Sequence, residues 1–359
     1  IVRKYKIQGL SSNYALYADM SNRVMAILKD FSPNQEVYSI DECFLDLTGF
    51  KNLTSYGQEM RGRILQWTGL PVCVGIGATK TLAKLANHCA KKMPEFSGVC
   101  DFGLLTDDEL NTFLKKIEVG DVWGVGRRLS VKLIALGINT AYDLKHADPE
   151  YLRQQFSVVM AKTVSELNGT ICIELEEMSP PRKQILSSRS FGQPVRDYNS
   201  LAEAITLYMS RAAEKLRAQE SVAALLHVYI RTNPHKPNEP QYANAMTISL
   251  PSPTDDTLQL VNVSLWMLKR LFKSQYNYAK AGVCLSDLIP RTSAQADLFT
   301  SAQSSSRSQS LMSTIDRINA KMGRESIKLA SEGMNYAWKM RSSKRSPNYT
   351  TSWDGLLRV

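Results

Sequence analysis

The sequence predicts an α+β multidomain protein, and three observations carry that prediction. Helix and strand patterns alternate through the first 107 residues, and a Pro-Pro pair at 180 and 181 is followed by a β-α-β-β-α-β order. A Ser- and Gln-rich stretch after Arg291 then separates a basic C-terminal region. A length of 359 residues allows two to four domains, each with its own core.

Composition and charge narrow the class of protein. The chain is 43% hydrophobic and 22% charged, as in globular proteins, and it shows neither an apolar run of membrane-spanning length nor a signal peptide. Six cysteines without CxxC pairing argue against a disulfide framework or a zinc site, and favour a reducing compartment. We therefore expect a cytoplasmic protein with no membrane partner. The net charge of +10 favours a polyanionic partner.

The first 107 residues predict an amphipathic helix over 11 to 30, a strand-turn-strand over 36 to 47, a helix over 56 to 66 and a strand over 72 to 77. In the strand-turn-strand, EVYSIDECFLDL, the bend could bring Asp41 and Glu42 toward one point. Close carboxylates need a compensating cation or water. The pair is either a solvated acidic turn or a divalent-metal site.

The stretch GIGATKTLAKLANHCAKKM, residues 75 to 93, predicts glycines that turn tightly and a helix capped by Thr79. On a helical wheel the leucines share one face, whereas Lys80, Lys84 and Lys91 form a stripe on the other. We expect the lysine stripe to face outward. It is either a solvated basic face or a triphosphate site near the helix N-terminus.

Residues 108 to 178 predict a small helical domain with a glycine-bounded hairpin. Gly124 and Gly126 flank the hairpin, and Arg127 and Arg128 follow it at the start of a basic helix that ends at Gly137. Free backbone N–H groups beside arginines grip a phosphate backbone without reading bases. The pattern resembles the helix-hairpin-helix module of DNA-binding proteins, and the alternative is a plain connection between helices.

The region from 183 to 290 predicts an antiparallel sheet with two helices on one face, an α+β sandwich of ferredoxin-like type. Basic residues, Arg189 among them, lie on or beside its strands, where they either follow a nucleic acid duplex or serve solubility.

Residues 291 to 310 predict a flexible linker, because Ser, Gln, Thr and Ala dominate it. Within it, QADLF places Leu298 and Phe299 in a polar setting without a core to enter, so they are candidates for a partner's pocket. Residues 311 to 359 form a small basic C-terminal domain. The segment from 301 onward carries ten Lys and Arg against four Asp and Glu, a net +6.

Taken in order, these motifs resemble the Y-family translesion DNA polymerases, most closely the UmuC-type catalytic subunits of bacterial DNA polymerase V. YSIDECFLDLTG is similar to the family's catalytic palm hairpin, GIGATKTLAKLAN to its triphosphate-side helix, DVWGVGRR to its thumb hairpin and RSFG to the entry of its little finger. The resemblance covers nearly the entire chain and implies a right-hand fold with a partial palm, a thumb and a little finger, plus a C-terminal domain.

The resemblance also implies roles for individual residues. Asp41 and Glu42 would hold two magnesium ions for template-directed dNTP addition to primer-template DNA. Lys84 would face the triphosphate, with Lys80 a weaker candidate. QADLF is similar to the sliding-clamp binding pentamer, in which Gln295, Leu298 and Phe299 would enter the β clamp. The implied partners also include the processed UmuD dimer and RecA filaments, with the protein at the nucleoid during the SOS response to DNA damage.

One departure from the family pattern concerns the N-terminus. The family's first motif, a strand with another metal-binding aspartate followed by the fingers, has no counterpart after Ile1, so we expect the sequence to begin inside a longer protein and these 359 residues alone to be inactive or nearly so. Two alternatives to the polymerase remain. One is a noncatalytic remnant that binds damaged DNA and the clamp, and the other is a metal-dependent nuclease.

Overall fold

A computed structural model describes residues 5, 7–176, 181–293, 302–334, 336–340 and 342–356. The chain divides into two compact units. Unit 1 comprises Ile1–Ser179 with Lys344–Val359, and unit 2 comprises Pro180–Ser343. In the part of the chain with described coordinates, no helix has the length and hydropathy needed to cross a membrane.

The first half of unit 1 has the predicted alternation of helices and strands. A small core of buried side chains, including Phe31 and Met60, lies under its first two helices. The two N-terminal strands form an antiparallel pair, and the next two form a separate parallel pair. The elements are α1 (Tyr14–Lys29), β1 (Gln35–Val37), β2 (Cys43–Leu45), α2 (Leu53–Thr68), β3 (Val74–Ile76), α3 (Lys80–Lys92) and β4 (Val99–Asp101). The predicted helices and the strand-turn-strand are confirmed, with ends shifted by a few residues.

Two glycines bring α3 against β3, and they do so by close approach, not by a tight turn. A Cβ on Gly75 would lie 2.0 Å from the backbone nitrogen of Asn87, and one on Gly77 would lie 2.7 Å from that of Ala83. Neither glycine has a positive φ. The expectation that these glycines serve a turn is therefore wrong; they leave room for the backbone of α3.

Five helices complete the next part of unit 1 and confirm its helical character. They are α4 (Asp107–Leu114), α5 (Arg127–Ala135), α6 (Ala141–Lys145), α7 (Pro149–Gln155) and α8 (Val158–Leu167). Helix α4 begins with a capping box, in which Thr106 and Glu109 satisfy each other's backbone N–H groups. Buried leucines of these helices share one core with Leu82 and Leu85 of α3. That shared core fixes α3 from the side opposite its lysines.

Unit 2 has the predicted β-α-β-β-α-β order. Its elements are β5 (Ile185–Val195), α9 (Tyr198–Ala218), β6 (Ser221–Arg231), β7 (Ala243–Thr254), α10 (Thr257–Leu271) and β8 (Tyr278–Pro290). The four strands form one antiparallel sheet in the order β5-β8-β6-β7. Because β8 lies between β5 and β6, the β5-α9-β6 segment is a split βαβ unit. Both helices pack on one face of the sheet over a single core.

The C-terminal region contributes to both units. Helix α11 (Ala302–Met322) begins inside the predicted flexible linker, so the linker prediction is wrong for residues 302 to 310. In unit 2, Arg217 donates to both carboxylate oxygens of Asp316 at 2.6 and 2.8 Å, and Trp338 enters the core. In unit 1, the Asn13 amide donates to the backbone oxygen of Ser346 at 2.9 Å. The predicted C-terminal domain is therefore divided between the two units after residue 343.

Candidate active site

The turn between β1 and β2 carries the two adjacent acids. The backbone N–H groups of Tyr38 and Ser39 both donate to the Glu42 carbonyl oxygen at 3.1 Å, which closes the turn. Asp41 is exposed, and its Oδ1 accepts a hydrogen bond of 2.6 Å from the Ser39 hydroxyl. The turn thus presents the Asp41 carboxylate to solvent, and the neighbouring Glu42 leaves from the same bend.

Glu42 has a cationic partner on α3. The Lys84 ammonium donates to Glu42 Oε1, and the side chains of this pair are 19% and 43% exposed respectively. The same ammonium lies 5.1 Å from the centre of the Tyr38 ring and 5.7 Å from that of Trp123. Trp123 Nε1 donates to the Tyr38 hydroxyl at 3.2 Å. Aromatic faces stabilise a cation near them, so Lys84 is held beside the turn while remaining within reach of solvent.

Lys80, one turn earlier on α3, is buried, and the prediction that the lysine stripe faces outward is wrong for this residue. Lys80 and Glu36 form an ion pair whose side chains are only 8% and 11% exposed. The Lys80 ammonium also donates to the backbone oxygen of Glu174 at 2.6 Å. Lys91, by contrast, is exposed as predicted. The helical wheel placed the lysines correctly relative to the leucines, but β1 and the segment around Glu174 cover one end of the stripe.

The N-terminus of α3 is closed by protein groups. The Thr79 hydroxyl accepts from the Leu82 N–H at 3.2 Å, which confirms the predicted cap. The buried Glu166 carboxylate accepts from the Thr81 N–H at 3.0 Å and from its hydroxyl at 2.8 Å. These bonds satisfy N–H groups that a phosphate would otherwise use. A triphosphate facing α3 would therefore meet the exposed side of Lys84 and not the helix end.

The carboxylates of the turn are of the chemical type that binds magnesium. Carboxylate oxygens are the ligands that magnesium prefers, and Asp41 offers them at the surface. Within the described residues, no group of three or more His, Cys, Asp and Glu side chains is arranged to hold a metal ion. The turn supplies two carboxylates, and a two-metal site would need further oxygen ligands.

The glycine hairpin ahead of α5 has the geometry that the sequence predicts. Gly124 adopts φ of +88°, a left-handed conformation that side chains other than glycine rarely tolerate, and Gly126 is the N-cap of α5 without a side-chain cap. Arg127 and Arg128 are exposed on the first turn. The buried Val125, 5% exposed, fixes the hairpin to the core. Backbone N–H groups and two guanidinium groups therefore face solvent together at this helix end.

Arg189 of unit 2 lies on the helix-covered side of the sheet. It pairs in register with Ala281, a core residue, whereas the neighbouring Lys280 pairs with Ser190 and Arg231. Because successive side chains on a strand alternate between faces, Arg231 and Lys280 share the open face of the sheet and Arg189 does not. The predicted clamp-binding residues Gln295, Leu298 and Phe299 lie outside the described residues.

Two acids that the sequence analysis overlooked organise this region. Glu36 is the buried middle residue of β1, five residues before Asp41, and Glu166 stands between buried residues near the end of α8. For Glu166, an acid on the apolar face of a helix was a usable sequence signal, whereas the short strand Gln35–Val37 gives none for Glu36. Such acids are rarely buried unless they are paired.

Comparison with known proteins agrees with this architecture. A Y-family DNA polymerase chimera of Dbh and Dpo4 matches with a TM-score of 0.57 at 22% identity, over 77% of each chain. The chain therefore has the fold of a Y-family DNA polymerase. The impB/mucB/samB family model matches residues 2–88, its C-terminal domain model matches 182–298, and the IMS family HHH motif matches 107–138. A domain of unknown function, DUF4113, matches 309–359.

Curated relatives define the family more narrowly. Protein UmuC of Salmonella typhimurium is 44% identical over 99% of this chain and 85% of its own length. Protein MucB of Escherichia coli is 40% identical over 99% of this chain and 84% of its own length. The chain therefore belongs to the impB/mucB/samB family, as a UmuC-type Y-family DNA polymerase.

Proposed function

We propose that this protein is the catalytic part of an error-prone translesion DNA polymerase, which adds dNTPs opposite damaged template bases in the SOS response. One observation carries the proposal: the exposed Asp41 and the neighbouring Glu42 leave a single turn, and Lys84 is held against that turn by aromatic rings. Acids and a mobile cation at one place are what phosphoryl transfer to a primer hydroxyl requires.

Each residue of the turn has a separate task in this reaction. Asp41 would be shared by two magnesium ions, and Glu42 would help hold the one nearer the primer. When bound, these ions supply a lowered pKa for the primer 3′ hydroxyl and neutralise charge on the leaving pyrophosphate. Lys84 exchanges its bond with Glu42 for the incoming triphosphate, because its ammonium is a mobile point charge with partial access to solvent.

The hairpin ahead of α5 is proposed to bind the phosphate backbone of the primer-template. The exposed N–H groups after Gly126, with Arg127 and Arg128, offer positive charge without any base-reading pattern. Arg231 and Lys280 on the open face of the unit 2 sheet are better placed to follow a duplex than Arg189, which lies on the other face. Binding through such contacts weakens steeply as salt rises.

We also propose that the protein binds three protein partners. The β sliding clamp would take the QADLF pentamer, with Gln295, Leu298 and Phe299 in its pocket. On either side of that pentamer, Arg291 pairs with Asp255 and Ser308 bonds to Asp256, so both flanks are anchored to neighbouring residues of unit 2. The processed UmuD dimer and RecA filaments, with action at the nucleoid in the cytoplasm, rest on the similarity to UmuC-type proteins alone.

Primer extension past an abasic site tests the assignment. In the complete gene product, Asp41→Ala should abolish dNTP addition while leaving the affinity for fluorescein-labelled primer-template DNA unchanged. Asp46→Ala is the matched control, because Asp46 lies on the same hairpin and bonds to Thr48 instead of facing the turn. Undiminished extension by Asp41→Ala would refute the assignment.

A related proposal concerns these 359 residues alone. In the described residues, no third ligand groups with the acids of the turn. We therefore expect DNA binding without measurable magnesium-dependent primer extension from this polypeptide by itself. Extension comparable to that of the complete gene product would contradict this expectation. Binding without addition by the complete gene product would instead indicate a noncatalytic role.

A further inference from the structure

The buried pair of Lys80 and Glu36 joins three separate parts of unit 1. Glu36 Oε2 accepts from the Lys80 ammonium and also from the Glu176 N–H at 2.7 Å. Lys80 in turn donates to the Glu174 carbonyl oxygen at 2.6 Å and lies 5.2 Å from the centre of the Phe44 ring. Strand β1, helix α3 and residues 174 to 176 therefore meet at one ion pair.

A second buried carboxylate holds the same segment to the same helix. Glu166 Oε1 accepts from the N–H groups of Cys172 and Ile173 at 3.0 and 2.9 Å, and its Oε2 accepts from Thr81. Glu166 is 0% exposed. The chain from 172 to 176, which follows the helical region, is thus fixed at both ends by acids that bind the first turn of α3.

Lys80 is poorly suited to bind a nucleotide. Its ammonium already donates to Glu36 and Glu174, and its side chain is 8% exposed. A triphosphate at Lys80 would have to displace Glu36, and a buried carboxylate without its cation is strongly unfavourable. The role of Lys80 must therefore be exerted through the groups that it holds.

The position of the Lys80–Glu36 pair indicates which groups it holds in place. Lys80 lies one helical turn before Lys84, and Glu36 lies on the strand that leads into the turn with Asp41. The ion pair limits the rotation of α3 against β1, because Lys80 and Glu36 contact each other and each also bonds to the backbone of residues 174 to 176. That rotation decides whether the Lys84 ammonium points at the catalytic turn.

We propose that Lys80 and Glu36 are positioning residues for nucleotide addition, which orient Lys84 toward the Asp41-Glu42 turn and anchor residues 172 to 176 beside it. The catalytic half of this inference rests on the proposed polymerase function. The anchoring half rests on the contacts alone. Neither residue touches substrate.

The test compares Lys80→Met, Glu36→Gln, the double variant and Lys84→Met in the complete gene product. Two readouts are taken: amide hydrogen exchange at Cys172, Ile173 and Glu176, and dNTP addition over a range of dNTP concentrations.

Lys80→Met should speed exchange at Glu176 at least about tenfold and lower kcat about tenfold, with KM for dNTP within about threefold of the wild type. The double variant should recover part of both effects, because Glu36→Gln removes the unpaired charge and keeps an acceptor for Glu176. Lys84→Met should leave the exchange unchanged.

Two outcomes would overturn the inference. If Lys80→Met raises KM for dNTP tenfold without altering exchange at 172 to 176, then Lys80 binds the nucleotide directly. If exchange accelerates but kcat and KM stay at wild-type values, the pair only stabilises the fold. Failure of the wild-type protein to add nucleotides would defeat the proposed function and the catalytic half of this inference, while the exchange data would still decide whether the pair anchors the segment.

Discussion

Two Lys-Glu pairs lie on one face of α3 and differ in burial. Lys80 with Glu36 and Lys84 with Glu42 are one turn apart on α3 and have the same chemistry. The side chains of the first pair are 8% and 11% exposed, and those of the second are 19% and 43% exposed. The Lys80–Glu36 pair also bonds to a carbonyl oxygen and an N–H group of residues 174 to 176, whereas Lys84 lies beside the Tyr38 and Trp123 rings and remains partly exposed.

The difference in burial gives the two pairs different properties, although their charged groups are the same. A buried charge is stable only with its partner, so the Lys80–Glu36 pair stays closed and can serve as a fixed reference for α3. A partly exposed pair exchanges partners at lower cost, so in the proposed mechanism Lys84 can leave Glu42 for a triphosphate. In the proposed polymerase site, one pair is therefore fixed and the other can exchange its partner.

The largest expected effect comes from removing one partner of the fixed pair. Lys80→Met leaves Glu36 charged and buried, and we expect a loss of about 3–5 kcal/mol in the stability of unit 1. Lys84→Met should cost no more than about 1 kcal/mol, because Glu42 is 43% exposed and can be solvated. Native-state hydrogen exchange of the most protected α3 amides measures both values. Equal losses of stability in Lys80→Met and Lys84→Met would contradict the distinction between a fixed and an exchangeable pair.

A glycine substitution should disturb both pairs together. The Cβ in Gly75→Ala would lie 2.0 Å from the Asn87 backbone nitrogen, so α3 must move away from β3. We expect a destabilisation of about 1–3 kcal/mol or slightly more. Gly62→Ala is the matched control, since a Cβ there meets no atom within 4 Å and alanine favours the helix. Thermal melts of the two variants give the comparison, and a stable Gly75→Ala protein would contradict the packing of α3.

The smallest expected effect on stability comes from Asp46, which follows β2 at the end of the β1-β2 hairpin, and this effect depends on pH. Hydrogen bonds from the Thr48 hydroxyl and N–H lower the pKa of Asp46 below its usual value. A carboxyl whose pKa is lowered by folding contributes stability above its unfolded pKa, and this contribution is lost as pH falls through the folded value. Thr48→Val should thus cost at most about 1 kcal/mol at neutral pH, and the difference from wild type should vanish in acid.

Urea melts of Thr48→Val at neutral and acidic pH measure that difference. A loss that persists unchanged in acid would mean that the methyl packing of Thr48, and not its bond to Asp46, accounts for the effect. The partners of both pairs at the other end of the hairpin should be unaffected at neutral pH.

The sequence predicts more of the fold than of the site. Helix α3 with its Thr79 cap, the hairpin and the order of elements in unit 2 follow from local periodicity and caps, which depend on near neighbours. The burial of Lys80 depends on Glu36 and Glu174, which are 44 and 94 residues away, and no local pattern reports such contacts. The helical character of 302 to 310 was missed because its Ser and Gln residues favour linkers.

The two pairs are distinguished most directly by the KM for dNTP of Lys84→Met and Lys80→Met, measured side by side in the complete gene product by dNTP addition over a range of dNTP concentrations. We expect Lys84→Met to raise KM about tenfold or more while the fold is unchanged, and Lys80→Met to lower stability and kcat with KM close to wild type. A rise in KM that is equal in the two variants would contradict the division into one exchangeable and one fixed pair.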